Sequence, residues 1–279
     1  MILLDNNQII IASMFQSFKQ NQEMDEDFIR HLVLNTYRMY RNKFSKTYGE
    51  LVICNDSPHC WRKDIFPPYK QNRKKNQKKS PHDWNEIHNA MNNIREEVKE
   101  VFPYKNIAVD KTEADDIIAI ICKHYHTTEK IVIISSDKDF QQLQFMPNIK
   151  QYSPLKKTFL ECENPKNFLL EHVIRGDSSD GVPNILSDDD TFINDDKRQN
   201  RITKKVIAGL HEELQNGVIH ERANWERNKT LIDLSYIPVE YEDEILEQYN
   251  IEETKGRENL LNYFIDKKLK NLMEYIGDF

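Results

Sequence analysis

Short apolar runs that stop at acids recur along the first half of this chain. Residues 1–4 (Met-Ile-Leu-Leu) end at Asp5, and Leu51-Val-Ile-Cys-Asn leads to Asp56. Residues 106–109 and 130–135 repeat the design, the latter running on to Asp137. Apolar runs of about four to eight residues bounded by polar ones read as buried strands. Between the first two runs, residues 26–47 follow a helical period, with Ile29, Val33, Thr36 and Tyr40 on one stripe and Leu32 beside it. Ile117, Ile118, Ile120 and Ile121 give residues 113–124 a buried helical face, and residues 83–101 read as an amphipathic helix. The order strand, helix, strand implies parallel βαβ units. The expected fold is therefore α/β, a parallel sheet covered by helices.

After Gln151-Tyr-Ser-Pro154 the strand signals fade, and helical patterns run from about residue 164 to the end. This places an α/β domain at 1–160 and a smaller helical domain at 161–279. Residues 186–196 form an acidic loop that solvation alone explains. No internal repeat is visible.

Composition narrows the chemistry. The seven glycines, at 49, 176, 181, 209, 217, 256 and 277, cannot assemble a Gly-x-Gly-x-x-Gly fingerprint or a phosphate-cradling Walker loop. Cys54, Cys60, Cys122 and Cys162 lack Cys-x-x-Cys spacing and lie in or beside apolar runs, so buried free thiols in a reducing compartment are expected. No basic, apolar leader opens the chain, and no window approaches the roughly 18 apolar residues of a membrane span. A cytoplasmic protein without a membrane partner is expected. The net charge of −7 argues against nucleic acid until its distribution is considered. Between Arg62 and Lys79 eight basic residues face one acid, Asp64, so this segment carries +7 and the remainder −14. The segment is too charged to pack, and a solvated loop is one account of it. Trp61, Phe66 and Tyr69 interleave with the charges, which suits stacking on unpaired bases and clamping phosphates.

Three acidic clusters, Glu113-Ala-Asp115-Asp116, Asp137-Lys-Asp139 and Asp177-Ser-Ser-Asp180, join Asp5 and Asp56 as candidates. In a parallel sheet ligands gather outside the carboxyl ends of the strands. Asp5, Asp56 and the Asp137/Asp139 pair sit at such ends. Glu113, Asp115 and Asp116 open a helix, where capping explains them as well as metal binding does. Six or more carboxylates in one crevice repel by several kcal/mol unless cations intervene or some are protonated. Oxygen ligands with no convergent His or Cys select Mg²⁺, with Mn²⁺ as a substitute, over Zn²⁺. Two such ions suit phosphodiester hydrolysis.

These stretches, with Trp61-Arg62-Lys63-Asp64, Tyr69-Lys70-Gln-Asn-Arg73 and Gly176-Asp177-Ser-Ser-Asp180, resemble the 5′-nuclease superfamily, which includes flap endonucleases and the 5′-nuclease domains of bacterial DNA polymerases. The closest likeness is to the branch represented by the ribonuclease H of T-even-type bacteriophages. It implies a PIN-like core, a mobile basic arch at about 62–82, and a helical C-terminal domain with a modified helix-three-turn-helix. The activity implied is a 5′–3′ exonuclease and flap endonuclease that removes RNA primers from lagging-strand fragments, acting in the host cytoplasm. By motif position, Asp5, Asp56, Asp115 and Glu113 would serve the first metal. Asp137, Asp139, Asp177 and Asp180 would serve the second, with Asp116 in an outer role. Lys70, Asp115, Asp137 and Asp139 would be catalytic. Arg62, Tyr69, Lys70, Arg73, Lys74 and Lys75 would meet DNA and RNA·DNA substrates bearing 5′ ends, flaps or forks.

One departure from the family pattern is visible. Gly181-Val-Pro-Asn-Ile-Leu-Ser-Asp-Asp-Asp190 replaces the family's glycine hairpin, leaving Lys197, Arg198, Arg201, Lys204 and Lys205 as basic substitutes nearby. The C-terminal residues 272–279 end in aromatics and are candidates for a sliding clamp or single-strand-binding protein, though packing on the small domain is the preferred account. A monomer is expected. Two alternatives stand beside this: a PIN-type ribonuclease, which leaves the arch and the last hundred residues unexplained, and a non-enzymatic replication-associated binding protein, which leaves the acids unexplained.

Overall fold

A computed structural model describes residues 1–21, 24–219, 221–252 and 255–279. The chain begins with strand β1 (Ile2–Asp5), helices α1 (Asn6–Asn21) and α2 (Glu26–Tyr48), and strand β2 (Leu51–Cys54). Helices α3 (Trp61–Ile65), α4 (Gln71–Lys78) and α5 (Trp84–Val101) lead to β3 (Lys105–Ile107). Helix α6 (Ala114–Tyr125), β4 (Ile131–Ile134), a 3-10 helix (Lys138–Phe145), β5 (Ile149–Ser153) and β6 (Thr158–Leu160) complete the sheet. Helices α7 (Pro165–Arg175), α8 (Lys204–Gln215), α9 (Arg222–Ile232), α10 (Val239–Asn250), α11 (Leu260–Asp266) and α12 (Lys270–Met273) follow.

The strands lie in the order β3-β2-β1-β4-β5-β6. All pairs are parallel except β5 with β6. β1 is central because Ile2, Leu3 and Leu4 are fully buried and can pack on both sheet faces. Alternation assigns the faces. Ile2 and Leu4 join Ile53 and Ile134 against α1, α2 and α5, whereas Leu3 joins Val52, Ile131 and Ile133 against α6. Each such side chain, fully buried, contributes about 1.5–3 kcal/mol.

Three features differ from the expectations. α1 and β6 were not anticipated; α1 buries Ile9, Ile10 and Met14, and β6 is three residues long at the sheet edge. The basic segment is helical rather than a loop, because its aromatics anchor it: Trp61, Phe66 and Tyr69 are buried, Phe66 and Tyr69 among Val173, Ile174, Val182 and Ile232. The last helices pack on the sheet layers as well. Ile245 of α10 joins the α6 face, while Leu260, Phe264, Leu272 and Phe279 join the α5 face. Residues 272–279 thus pack on the α/β body and not on the small helical unit. Among the described residues no helix is long and apolar enough to cross a membrane.

Candidate metal and nucleic-acid site

The strand order turns at β1: the chain builds outward to β3 on one side, then returns to place β4 on the other. Such a switch opens a crevice at the carboxyl ends of the strands. Asp5 closes β1, Asp56 follows β2 and Asp137 follows β4, so three acids border this crevice. Hydrogen bonds fix each one. Asp5 accepts from Gln8 N at 3.2 Å and from Ser135 Oγ at 2.9 Å. Asp56 accepts from Ala114 N, the first amide of α6, at 2.8 Å and also from the Asn7 amide. Asp137 caps the 3-10 helix by accepting from Asp139 N at 3.0 Å, and Gln151 Nε2 donates to the Asp137 carbonyl at 2.6 Å.

Helix α7 ends at Gly176, whose φ of 66° suits glycine. A Cβ there would lie 2.4 Å from the Val182 carbonyl oxygen, so the 176–183 loop closes only without a side chain. That closure presents Asp177, which accepts from Ser179 N at 2.8 Å and pairs with Lys138 at 2.9 Å. Asp115, Asp139, Asp177 and Asp180 line one crevice with Tyr69 and Arg62.

The electrostatics show how much negative charge is gathered. Burial and the charge of Asp56 push Asp5 up to about 7. Burial and Asp139 push Asp137 up to about 6. Burial, Asp137 and Asp5 raise Asp115 well above the carboxylate range. Asp56 is raised by burial and by Glu113. Without added cations these acids resist ionisation together, as expected of a site built for hard divalent ions. The Asp139 Oδ1 atom is buried without an aligned hydrogen-bond partner. The donor set therefore fits a divalent cation.

Elsewhere the protein's own cations balance the acids. Burial would raise Glu113, but Lys70 and Arg62 hold it well below its usual range. Burial would also raise Asp177, but His172, Ser179 and Lys138 hold it low. Lys70 pairs with Glu113 and lies 3.4 Å from Asp180, which Arg73 also engages. Lys70 takes left-handed backbone (φ 58°) at the start of α4, a strained geometry typical of functional positions.

Asp116 is fully buried: it accepts from Trp61 Nε1 at 3.1 Å, from Arg62, which it shares with Glu113, and from Glu113 N at 3.0 Å as a helix cap. Three sequence-based expectations need correction. Arg62, expected on phosphates, is buried and spends its donors on Asp116, Glu113 and the Leu231 carbonyl. Tyr69 is buried too, its hydroxyl 2.9 Å from both Glu113 and Asp180. A histidine does converge on the acids: His172 of α7 lies 3.0 Å from Asp139 and 3.4 Å from Asp177. Its only sequence signal is a lone His one turn before Gly176-Asp177. Burial would lower His172, but the adjoining carboxylates raise it to about 9.

Of the remaining arch residues, Arg73 and Lys74 are exposed, and Lys75 bonds the Ile193 carbonyl and Asp195 at 2.8 Å each. Lys197 pairs with Asp188 and Asp190, whereas Arg198, Arg201, Lys204 and Lys205 remain exposed.

Residues 1–170 match the family described as 5′–3′ exonuclease, N-terminal resolvase-like domain, and residues 165–279 match the family described as T4 RNase H, C terminal. The chain is 30% identical over 290 residues to the ribonuclease H of Enterobacteria phage T4, covering 99% of this chain and 95% of that protein. It is 27% identical over 154 residues to the flap endonuclease Xni of Shewanella piezotolerans, covering 51% and 56%. Among solved structures, a bacteriophage T5 flap endonuclease in complex with DNA and metal ions has the same fold, with a TM-score of 0.62, 15% identity, and 99% and 98% of the chains covered. The chain belongs to the 5′–3′ exonuclease and flap endonuclease family of nucleases, and its C-terminal region is of the phage T4 ribonuclease H type.

Proposed function

We propose that this nuclease is a divalent-metal-dependent 5′–3′ exonuclease and flap endonuclease that hydrolyses phosphodiester bonds in DNA and RNA·DNA duplexes and removes RNA primers from lagging-strand fragments. The observation that carries this is the convergence of Asp5, Asp56, Asp115, Asp137 and Asp139, with burial and mutual repulsion raising Asp5, Asp115 and Asp137 far from their ordinary values. Asp5, Asp56, Asp115 and Glu113 would hold one ion, and Asp137, Asp139, Asp177 and Asp180 the other. Two Mg²⁺ ions, or Mn²⁺ in their place, would supply an ionised water and neutralise the scissile phosphate and the departing oxygen.

The chain's own groups do the rest. Lys70 enters the crevice between Glu113 and Asp180, with burial opposed by both acids so that its ammonium stays charged. It is placed to exchange a carboxylate for a phosphate oxygen when substrate arrives. Tyr69 bridges Glu113 and Asp180 and keeps both oriented. Arg73 and Lys74, exposed on α4, would meet the backbone of a 5′ strand, and the exposed Arg198, Arg201, Lys204 and Lys205 would meet duplex. The bacteriophage T5 flap endonuclease of the same fold, in complex with DNA and metal ions, supports the same substrate class.

A 5′-labelled flap and a nicked RNA·DNA hybrid, each incubated with Mg²⁺, with chelator, and with Asp137→Asn, test this. Wild-type protein with Mg²⁺ should cut both; intact substrates would overturn the function. Cleavage by Asp137→Asn at the wild-type rate would overturn the metal assignment alone.

A further inference from the structure

The carboxylates assigned to the second cation share their corner with a nitrogen. His172 Nε2 lies 3.0 Å from Asp139 Oδ1 and 3.4 Å from Asp177 Oδ2. A ligand atom from each of these three residues lies within 4.8 Å of the others. His172 is 6% exposed, and neither its Nε2 nor Asp139 Oδ1 has an aligned hydrogen-bond partner. A histidine that merely anchored a carboxylate would aim its N–H along the contact. Here the two atoms meet at 3.0 Å without that alignment. Adjacent ligands of an octahedral ion with bonds of about 2.1 Å stand about 3.0 Å apart, so the spacing is that of two neighbours on one cation. The Phe168 ring stacks on His172 at 5.7 Å between centroids, which fixes the plane of the imidazole.

The geometry points to His172 as a nitrogen ligand of the second divalent cation, and to a preference of that subsite for Mn²⁺ over Mg²⁺. This rests on the metal-dependent nuclease proposed above and sharpens it. Mg²⁺ binds oxygen donors and keeps its waters, whereas imidazole raises affinity for first-row transition ions. Lys138 holds the corresponding positive charge in the metal-free protein, 2.9 Å from Asp177 Oδ2. Its side chain is half exposed on a long stem, so it can withdraw when an ion enters.

The full chain loaded with Mn²⁺ alone tests this by pulsed electron paramagnetic resonance, with a parallel count of bound ions and a Mg²⁺ competition. The wild type should bind two Mn²⁺ and show a nitrogen hyperfine coupling that changes on labelling histidine with heavy nitrogen. His172→Gln should abolish the coupling and weaken one of the two Mn²⁺ sites by about 10- to 100-fold, while Mg²⁺ affinity changes far less. Two bound Mn²⁺ without nitrogen coupling in the wild type, or a coupling that persists in His172→Gln, overturns the inference and leaves the nuclease function standing. Absence of bound Mn²⁺ together with absence of Mg²⁺-dependent cleavage overturns both. The wild-type measurement decides the matter even where His172→Gln does not fold.

Discussion

Arg62 and Asp116 form a buried two-pronged ion pair, with Nη1 at 3.0 Å and Nη2 at 2.7 Å from the carboxylate. The pair ties α3 to the first turn of α6, and Nη1 also reaches Glu113 at 3.1 Å. Removing the cation leaves the buried Asp116 carboxylate without a counter-charge, while Glu113 keeps Lys70. Arg62→Ala should therefore destabilise the protein by about 3–5 kcal/mol in urea unfolding. The double variant Arg62→Met/Asp116→Leu should lose less than the single one, because no charge is left alone. Equal losses would show that the pair is not as isolated from water as its burial indicates.

Asp137 should trade stability against activity. Burial and Asp139 raise it to about 6, so in the absence of metal it is held among acids that repel it. Asp137→Asn should raise the melting temperature in chelator, and it should reduce cleavage of a labelled flap by about 100-fold or more, the scale expected when a key electrostatic contact to the transition state is lost. A melting temperature that falls in chelator would refute the repulsion.

The pH dependence of the metal-free protein has a definite sign. Asp5 rises from 3.8 to about 7, Asp137 from 3.8 to about 6 and His172 from 6.5 to about 9. The folded state therefore holds more protons than the unfolded chain between these limits. The stability these groups contribute is present below their unfolded values and is lost as pH rises through the folded ones. Glu113 and Asp177 are lowered and act oppositely, but only in the acid range below their ordinary values of 4.5 and 3.8. Chelated protein should thus lose stability from about pH 5 to pH 9, by up to about 1.4 kcal/mol per pH unit for each proton released. Divalent ions should flatten or reverse the slope, as differential scanning calorimetry at several pH values would show. A rising profile in chelator would contradict the assignment.

Salt should report the arch. Each phosphate contact contributes a slope of about −0.7 for single strands in a plot of log affinity against log salt. Losing both Lys70 and Arg73 should flatten the slope by about 1.4 for a 5′ single strand. An unchanged slope would mean that both cations stay with Asp180 and Glu113 when substrate binds.

The end of the chain is a structural element. Phe279 is fully buried, with its ring 5.6 Å from Phe102 and 5.3 Å from Phe264 between centroids. Phe279→Ala should cost about 3–5 kcal/mol, read by denaturant unfolding. Tyr275 is the aromatic left partly exposed there, with Arg38 over its ring at 3.9 Å. Loss of stability below about 1 kcal/mol would return Phe279 to the surface.

The sheet and its acids were legible in the sequence because strand ends carry their own punctuation: apolar runs that stop at Asp5, Asp56 and Asp137. Direction was not legible for single charges. Eight basic residues in one segment reveal a concentration of positive charge, but nothing local distinguishes Arg62, which turns inward to Asp116, from Lys74, which stays in water. That choice is made by a partner 54 positions away. His172 was missed for the same reason: α7 must pack beside the 3-10 helix before its imidazole has neighbours. The last helices read correctly as helices, but amphipathic periodicity does not say which layer they cover.

The position of β1 between β2 and β4 also sets a schedule. Asp5 is made well before the Ser135 hydroxyl that holds it, which lies 130 positions further on. Until β4 is inserted beside β1, its acids are scattered along an unfinished chain and there is no crevice to gather metal. A nascent or truncated fragment ending before β4 is therefore unarmed, and the acidic crevice comes into being only when β4 closes the sheet beside β1.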